Sequence, residues 1–178
     1  MQAIEASIAT SPGRATTYFI KAQMQLFRNE YDDAVATMKQ AIALNPNYSE
    51  GYCRLAQIFF LIKDDNKYDS EIGETMNNCV DKGGAANINS VNFLKLGINY
   101  YSDDKVKDYN RAAILSERLA EISDPDPEVW YNQARLYYVI NNKEKAEESF
   151  QKALALDPTL TPDWQEFKLL IDANRKEE

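Results

Sequence analysis

The amino-acid sequence predicts an all-α protein built from consecutive antiparallel helix pairs. Apolar residues recur at intervals of three and four, the spacing of one face of an α-helix. Proline recurs near segment ends, where it stops a helix because it has no amide hydrogen to donate. Five aromatic residues open similar segments at intervals of 34, 41, 37 and 34 residues: Tyr18, Tyr52, Phe93, Trp130 and Trp164.

The stretch EVWYNQARLYYVINNKEKAEESFQKALALDP, residues 128–158, shows the pattern most clearly. Large and small apolar residues alternate on two successive helical stripes. A large side chain supplies buried area, and a small one allows the partner helix to approach closely. The positions are Trp130, Ala134 and Tyr137 on the first helix, and Ala146, Phe150 and Ala153 on the second.

These residues, together with Pro158, resemble the tetratricopeptide repeat, which has a period of 34 residues and the same order of aromatic, small and proline positions. Gln133 departs from the pattern, where leucine is usual. The resemblance extends over nearly the whole chain and implies a right-handed α-solenoid. It divides the chain into a single array: an N-terminal helix at 1–11, repeats at 15–48, 49–89, 90–126 and 127–160, and a C-terminal capping helix at 161–175.

The N-terminal end of the chain bears on its origin. By the register of the repeats, Ile4 and Ser7 hold second-helix positions of an earlier repeat whose first helix is missing. We therefore interpret the chain as a fragment of a larger protein, with a natural N-terminal cap helix as the alternative. No signal peptide or membrane span is recognisable, which favours a soluble domain of unknown compartment.

Composition argues against several classes of function. The net charge is −8 and the pI is near 4.7, so binding to nucleic acid or directly to an anionic membrane is not expected. The chain has no histidine, which removes the commonest general base and zinc ligand. We expect no enzyme activity, no cofactor and no metal site.

Two features leave alternatives open. Cys53 and Cys79 are interpreted as reduced, partly buried thiols, with a disulfide or a metal role as the alternative. Three aspartate pairs, at 32–33, 64–65 and 103–104, lie beside predicted helix turns. Helix capping and solvation explain them better than cation binding or acid–base chemistry, although a hydrolase using them is a third functional hypothesis.

The resemblance also implies a binding groove on the concave side of the first helices. The residues predicted to face it are rich in aromatic and cationic side chains, which are common at binding hot spots. They favour a protein or peptide partner that carries carboxylates among apolar residues. The predicted groove residues are Phe19, Gln23, Phe27, Arg54, Gln57, Phe60, Lys95, Tyr101, Tyr131, Asn132, Arg135 and Tyr138.

The predicted function is therefore a non-catalytic protein–protein interaction scaffold. Chaperone C-terminal tails are not expected as ligands, because the family's lysine and asparagine clamp positions hold Phe19 and Gln23. One alternative is an accessory domain of a larger bacterial protein, since the uneven repeats look similar to arrays appended to O-antigen-ligase-like polymerases. A homodimer formed through the solenoid ends is the other alternative.

Overall fold

The computed structural model describes residues 1–62 and 67–174, and all regular structure in those ranges is helical. The predicted all-α fold class of antiparallel helix pairs is confirmed. Short 3-10 helices at Gly84–Asn87 and Pro158–Leu160 supplement the α-helices. The α-helices are α1 Gln2–Thr10, α2 Ala15–Phe27, α3 Tyr31–Leu44, α4 Ser49–Leu61, α5 Asp69–Asp81, α6 Val91–Ser102, α7 Tyr109–Ile122, α8 Pro127–Val139, α9 Lys143–Leu156 and α10 Thr161–Asn174.

The chain folds into two compact units, an N-terminal unit (Met1–Ile88) and a C-terminal unit (Asn89–Glu178). The N-terminal unit contains α1 and the helix pairs α2–α3 and α4–α5. The C-terminal unit contains the pairs α6–α7 and α8–α9, followed by α10. No helix in the described ranges has the length and apolar character needed to cross a membrane.

Capping residues explain where several helices begin. In the C-terminal unit, the side chains of Ser90, Asp108, Asp126 and Asn142 each accept a hydrogen bond from a backbone amide in the first turn of α6, α7, α8 and α9. Such caps satisfy amides that have no partner within the helix. Pro127 takes the first helical position of α8, where a missing amide hydrogen costs nothing.

Large and small side chains nest within each helix pair, as the pattern predicts. In the C-terminal unit, Ala134 of α8 and Ala146 and Ala153 of α9 have no exposed surface, and Phe150 is buried between them. Gln133, which stands where the repeat usually has leucine, is also buried. Its side-chain oxygen accepts a hydrogen bond of 3.1 Å from Ser149 Oγ. A partner within the pair thus removes the cost of burying this amide oxygen.

Trp130 differs from the prediction. The sequence places it in the core, but it is only half-buried, and Lys152 Nζ lies 4.6 Å from the centre of its ring. The buried face of α8 keeps the predicted Ala134 and Tyr137 and also includes Val129, Gln133, Leu136 and Tyr138. The deeply buried tryptophan of this unit is Trp164, whose ring stacks on Phe150 at 4.8 Å.

The C-terminal helix α10 contacts α8 through Asp172, which accepts a hydrogen bond of 2.8 Å from the Tyr138 hydroxyl. Lys168 Nζ lies 5.5 Å from the Trp164 ring centre. The exposed side of α10 includes Leu169 and Leu170, with 72% and 58% of their surface accessible.

The two cysteines form a disulfide, which corrects the interpretation as reduced thiols. Cys53 of α4 and Cys79 of α5 are both buried, and their Cα atoms lie 4.7 Å apart. This distance falls within the range that a disulfide spans. The bond lies wholly within the N-terminal unit and joins the two helices of its second pair.

Candidate functional site

The candidate site is a groove in the C-terminal unit, which we call the α6–α8–α10 groove after three of the four helices that line it, the fourth being α7. It encloses a cavity of about 600 Å³, a volume typical of ligand sites. Three of the predicted groove residues line it: Lys95, Asn132 and Arg135. Further lining residues are Ile98, Asn99, Ser102, Tyr109, Ser116, Leu119, Asp126, Glu128, Val129, Leu136, Val139, Phe167 and Ile171.

Helical spacing brings the polar residues of each wall to one face. On α8, Glu128, Asn132 and Arg135 follow one another at intervals of four and three residues. On α6, Lys95 and Asn99 are four residues apart. The two helices therefore line the groove with two cationic groups, two amides and one carboxylate.

The two cationic side chains are not neutralised by any residue in the described part of the chain. Lys95 and Arg135 are exposed, and neither makes an ion pair with any residue that the structure describes. The side chains of Asn99 and Asn132 likewise form no hydrogen bond with the described residues. These donors and acceptors remain available to a ligand.

Aromatic packing holds Arg135 in place. Its guanidinium carbon lies 4.8 Å from the ring centre of Phe167 and 6.0 Å from that of Tyr131. Phe167 in turn packs against Trp164 and Tyr138, with ring centres 5.8 and 6.1 Å away. Burial raises the pKa of Tyr131 above its ordinary value, and the Arg135 charge acts in the opposite direction. A guanidinium stacked in this way keeps its N–H donors free at the edge.

Two polar groups at the groove have different surroundings. The Asp126 carboxylate caps α8 by accepting a hydrogen bond of 2.9 Å from the Glu128 amide. The Ser102 hydroxyl oxygen is buried and has no hydrogen-bond partner in the described part of the chain. Ser102 thus offers a hydroxyl that a bound polar group could satisfy.

Two other residues predicted for the groove of this unit are buried instead. Tyr101 is buried in α6, and Tyr138 is buried in α8 with its hydroxyl bound to Asp172. Their side chains pack within the unit and do not line the cavity, which corrects the prediction for both. Tyr131 is half-buried and contacts the groove through Arg135.

The predicted residues of the N-terminal unit have mixed positions. Phe19 is buried, which corrects its placement on the groove surface. The Arg54 guanidinium lies 5.1 Å from the Phe19 ring centre, and its Nε donates a 2.9 Å hydrogen bond to Glu50. The Arg54 charge is therefore already paired.

The remaining predicted residues of that unit reach its surface to different degrees. Gln23 is exposed, Gln57 and Phe60 are half-buried, and Phe27 has 93% of its surface accessible. Their part in binding stays a prediction.

A second cavity, of about 430 Å³, lies between α7, α8 and α9 and is less suited to a ligand. Glu117 accepts hydrogen bonds from the Tyr137 hydroxyl and from Lys145, the latter at 2.7 Å. Burial and the Glu117 contact raise the pKa of Tyr137 to about 12. Glu148 pairs with Lys152 at 2.7 Å. A ligand here would have to break ion pairs that already exist.

The aspartate pairs show local roles. The Asp32 carboxylate, in the first turn of α3, accepts hydrogen bonds of 2.6 Å from both Lys67 Nζ and the Tyr68 hydroxyl, which lower the pKa of Asp32. Asp103 accepts a bond from the Lys105 amide at the end of α6. The pair at 64–65 lies outside the described residues.

The groove residues predicted from the sequence do not include Asn99, Ser102, Glu128 and Phe167, which line the cavity. Asn99 and Glu128 could have been found, since each lies four residues from a predicted groove residue on the same helix. Phe167 was missed because α10 was interpreted only as a cap. Its role depends on the packing of Trp164, which helical spacing alone does not reveal.

Comparison with known proteins identifies the repeats. Family models described as tetratricopeptide repeat match residues 15–48 and 127–160. These segments coincide with the pair α2–α3 and with the pair α8–α9 together with the following 3-10 helix. No curated protein sequence matches the chain.

Solved structures share the fold at low sequence identity. The crystal structure of YrrB, described as a TPR protein with an unusual peptide-binding site, superposes with a TM-score of 0.61 at 15% identity, covering 98% of this chain and 84% of that one. A crystal structure of MamA gives 0.53 at 14% identity, with coverage of 90% and 82%. MamA from Desulfovibrio magneticus RS-1 gives 0.51 at 12%, with coverage of 88% and 82%.

Proposed function

This chain is a tetratricopeptide-repeat protein, and on that premise we propose that it is a non-catalytic interaction scaffold whose α6–α8–α10 groove binds a carboxylate-bearing segment of another protein. The fold supports the general role, because proteins built from such repeats bind protein or peptide partners. The chemistry of the groove supports the narrower assignment of ligand.

One observation carries this assignment: in a strongly acidic protein, the groove is lined by two cations that make no ion pair with the described residues. The whole chain has a net charge of −8. Six other cationic side chains of the C-terminal unit lie within 4.0 Å of a carboxylate: Lys107, Arg111, Arg118, Lys143, Lys145 and Lys152. Four cations of that unit make no such pair with the described residues, namely Lys95, Lys105, Arg135 and Lys168, and of these four only Lys95 and Arg135 line the groove. A ligand carboxylate would supply the missing partner.

The strength of charged hydrogen bonds and the low entropy cost of binding both favour a carboxylate-bearing ligand. A hydrogen bond to a charged group contributes about 1.5–3 kcal/mol, and Arg135 can form two parallel bonds with one carboxylate. The aromatic contacts with Phe167 and Tyr131 restrict the guanidinium before the ligand arrives. Less side-chain entropy is then lost on binding.

The groove also selects for apolar side chains. Ile98, Leu136, Val139 and Ile171 line it between the polar groups. Asn99 and Asn132 offer amide donors and acceptors that suit the backbone of an extended peptide. The expected ligand is therefore an extended segment in which Asp or Glu alternates with apolar residues, or one that ends in a free carboxylate beside them.

A selection from a random peptide library displayed on phage tests the proposal. The full chain is the bait, and the double variant Lys95→Gln/Arg135→Gln is the counter-bait. We expect enrichment of sequences that mix acidic and apolar residues, and weak retention of these peptides by the variant.

The matched control is Lys105→Gln/Lys152→Gln, which removes the same charge outside the groove. It should retain the selected peptides as well as the wild type does. Enrichment of basic peptides, or equal retention by both double variants, would exclude the groove as the binding site.

A further inference from the structure

The disulfide between Cys53 and Cys79 carries a second inference, which is independent of the groove. The bond connects α4 to α5, and 26 residues separate the two cysteines in sequence. Both cysteines are buried, so the bond belongs to the interior of the N-terminal unit.

The repeat register shows what this bond replaces. Cys53 lies 34 residues after Phe19, and both are buried at the same position of the first helix of their pairs. Cys79 follows Met76 by three residues, as Ala41 follows Met38. The first pair holds Phe19 and Ala41 at these positions, and both belong to its hydrophobic core. The second pair places a covalent bond between the same two positions.

The backbone that follows α5 packs directly against the disulfide. Gly83 has a φ of +80°, in the left-handed region that favours glycine. Gly84 is buried, and a Cβ atom there would overlap with the Cys53 Sγ and with the Cys79 carbonyl oxygen. The backbone at Gly84 thus lies directly against the sulfur, where only glycine fits.

We infer that Cys53–Cys79 is a permanent structural disulfide and that the protein works in an oxidising compartment, outside the reducing cytosol. Disulfides persist in such compartments, whereas cytosolic thiols are kept reduced. The two thiols are oxidised by exchange with a disulfide donor. The donor's S–S bond breaks, the Cys53–Cys79 bond forms, and the two thiol protons and two electrons leave with the donor as two thiols.

The disulfide stabilises the N-terminal unit. It restricts the unfolded chain by closing a loop, and it holds α5 against α4. The α5 sequence DSEIGETMNNCVD is mostly polar, and besides Cys79 its buried side chains are Thr75, Met76 and Val80. With so few buried apolar groups, the packing of α5 depends strongly on the bond.

Thermal unfolding of the full chain tests this dependence. One sample is kept oxidised, and the other is unfolded with tris(2-carboxyethyl)phosphine and refolded in its presence. Intact mass after N-ethylmaleimide treatment verifies the redox state of each. The reduced form should melt about 10 °C lower.

The control is Cys53→Ala/Cys79→Ala, whose melting temperature should not respond to the reductant. Equal melting of the oxidised and reduced wild type would overturn the structural role.

The compartment is tested in the cells that naturally produce the protein. Acid quenching followed by alkylation with N-ethylmaleimide under denaturing conditions labels only free thiols. We expect chains without label, and labelling only after reduction. Two labelled cysteines per chain in the unreduced sample would overturn the assignment to an oxidising compartment, whatever the melting experiment shows.

Discussion

Replacing Trp164 by alanine should lower the free energy of unfolding by about 3–5 kcal/mol, the cost expected for truncating a fully buried tryptophan. Trp164 has 0% of its surface exposed. Its ring lies within 6.1 Å, centre to centre, of four other aromatic rings: those of Tyr131, Tyr138, Phe150 and Phe167. Removing it would leave a cavity between α8, α9 and α10.

Two further variants test whether the loss comes from core packing. Chemical denaturation measures the free energy of unfolding of each. Trp164→Phe keeps an aromatic ring and removes an indole N–H that has no hydrogen-bond partner among the described residues, so it should cost less than half as much. Trp130→Ala removes the same side chain from a half-exposed site beside Lys152, and it should also cost less. If Trp130→Ala costs more than Trp164→Ala, the assignment of the core is wrong.

Neutralising both groove cations should weaken binding of a selected acidic peptide by at least about 100-fold. Lys95→Gln and Arg135→Gln each remove one charge-assisted interaction of about 1.5–3 kcal/mol, and every 1.4 kcal/mol is a factor of ten in affinity. Isothermal titration calorimetry of the full chain with the peptide measures this loss. The wild-type affinity should also fall as salt rises, because both cations are exposed.

Lys105→Gln/Lys152→Gln again serves as the control, and its affinity should stay within about twofold of the wild type, since rim and distant charges change affinity little. A peptide with each Asp and Glu replaced by Asn and Gln should lose affinity to a similar extent. Unchanged affinity of the Lys95→Gln/Arg135→Gln variant would show that carboxylate recognition occurs elsewhere.

The helix pairs could be predicted from the sequence because nesting imposes a strict local rule. A second helix can approach only where the first presents a small residue, and this requirement repeats along the chain. Ala134, Ala146 and Ala153 therefore stand at predictable places, and all three are fully buried.

The rotation of each helix about its axis could not be predicted from spacing. Neighbouring positions lie about 100° apart around a helix, so a residue at the edge of the buried stripe can face either way. Trp130, predicted to lie in the core, is therefore half-exposed. Phe19, Tyr101 and Tyr138, predicted to face the groove, are buried. The packing of adjacent helices decides these cases.

The disulfide and the aromatic wall of the groove depend on contacts distant in sequence. Cys53 and Cys79 are 26 residues apart, and their pairing follows from the register of α4 against α5. Phe167 lies beside Arg135 because Trp164 anchors α10. Such contacts follow from three-dimensional packing, and two cysteines alone cannot distinguish a bond from two thiols.

The most direct test is to map where a selected acidic peptide contacts the ¹⁵N-labelled chain by nuclear magnetic resonance. We predict that the largest backbone shift changes occur on the groove faces of α6, α8 and α10, around Lys95, Asn99, Asn132, Arg135 and Phe167, and that they disappear in the Lys95→Gln/Arg135→Gln variant. Shift changes concentrated around Glu117, Trp130 and Lys152, or confined to the N-terminal unit, would contradict the proposed binding site.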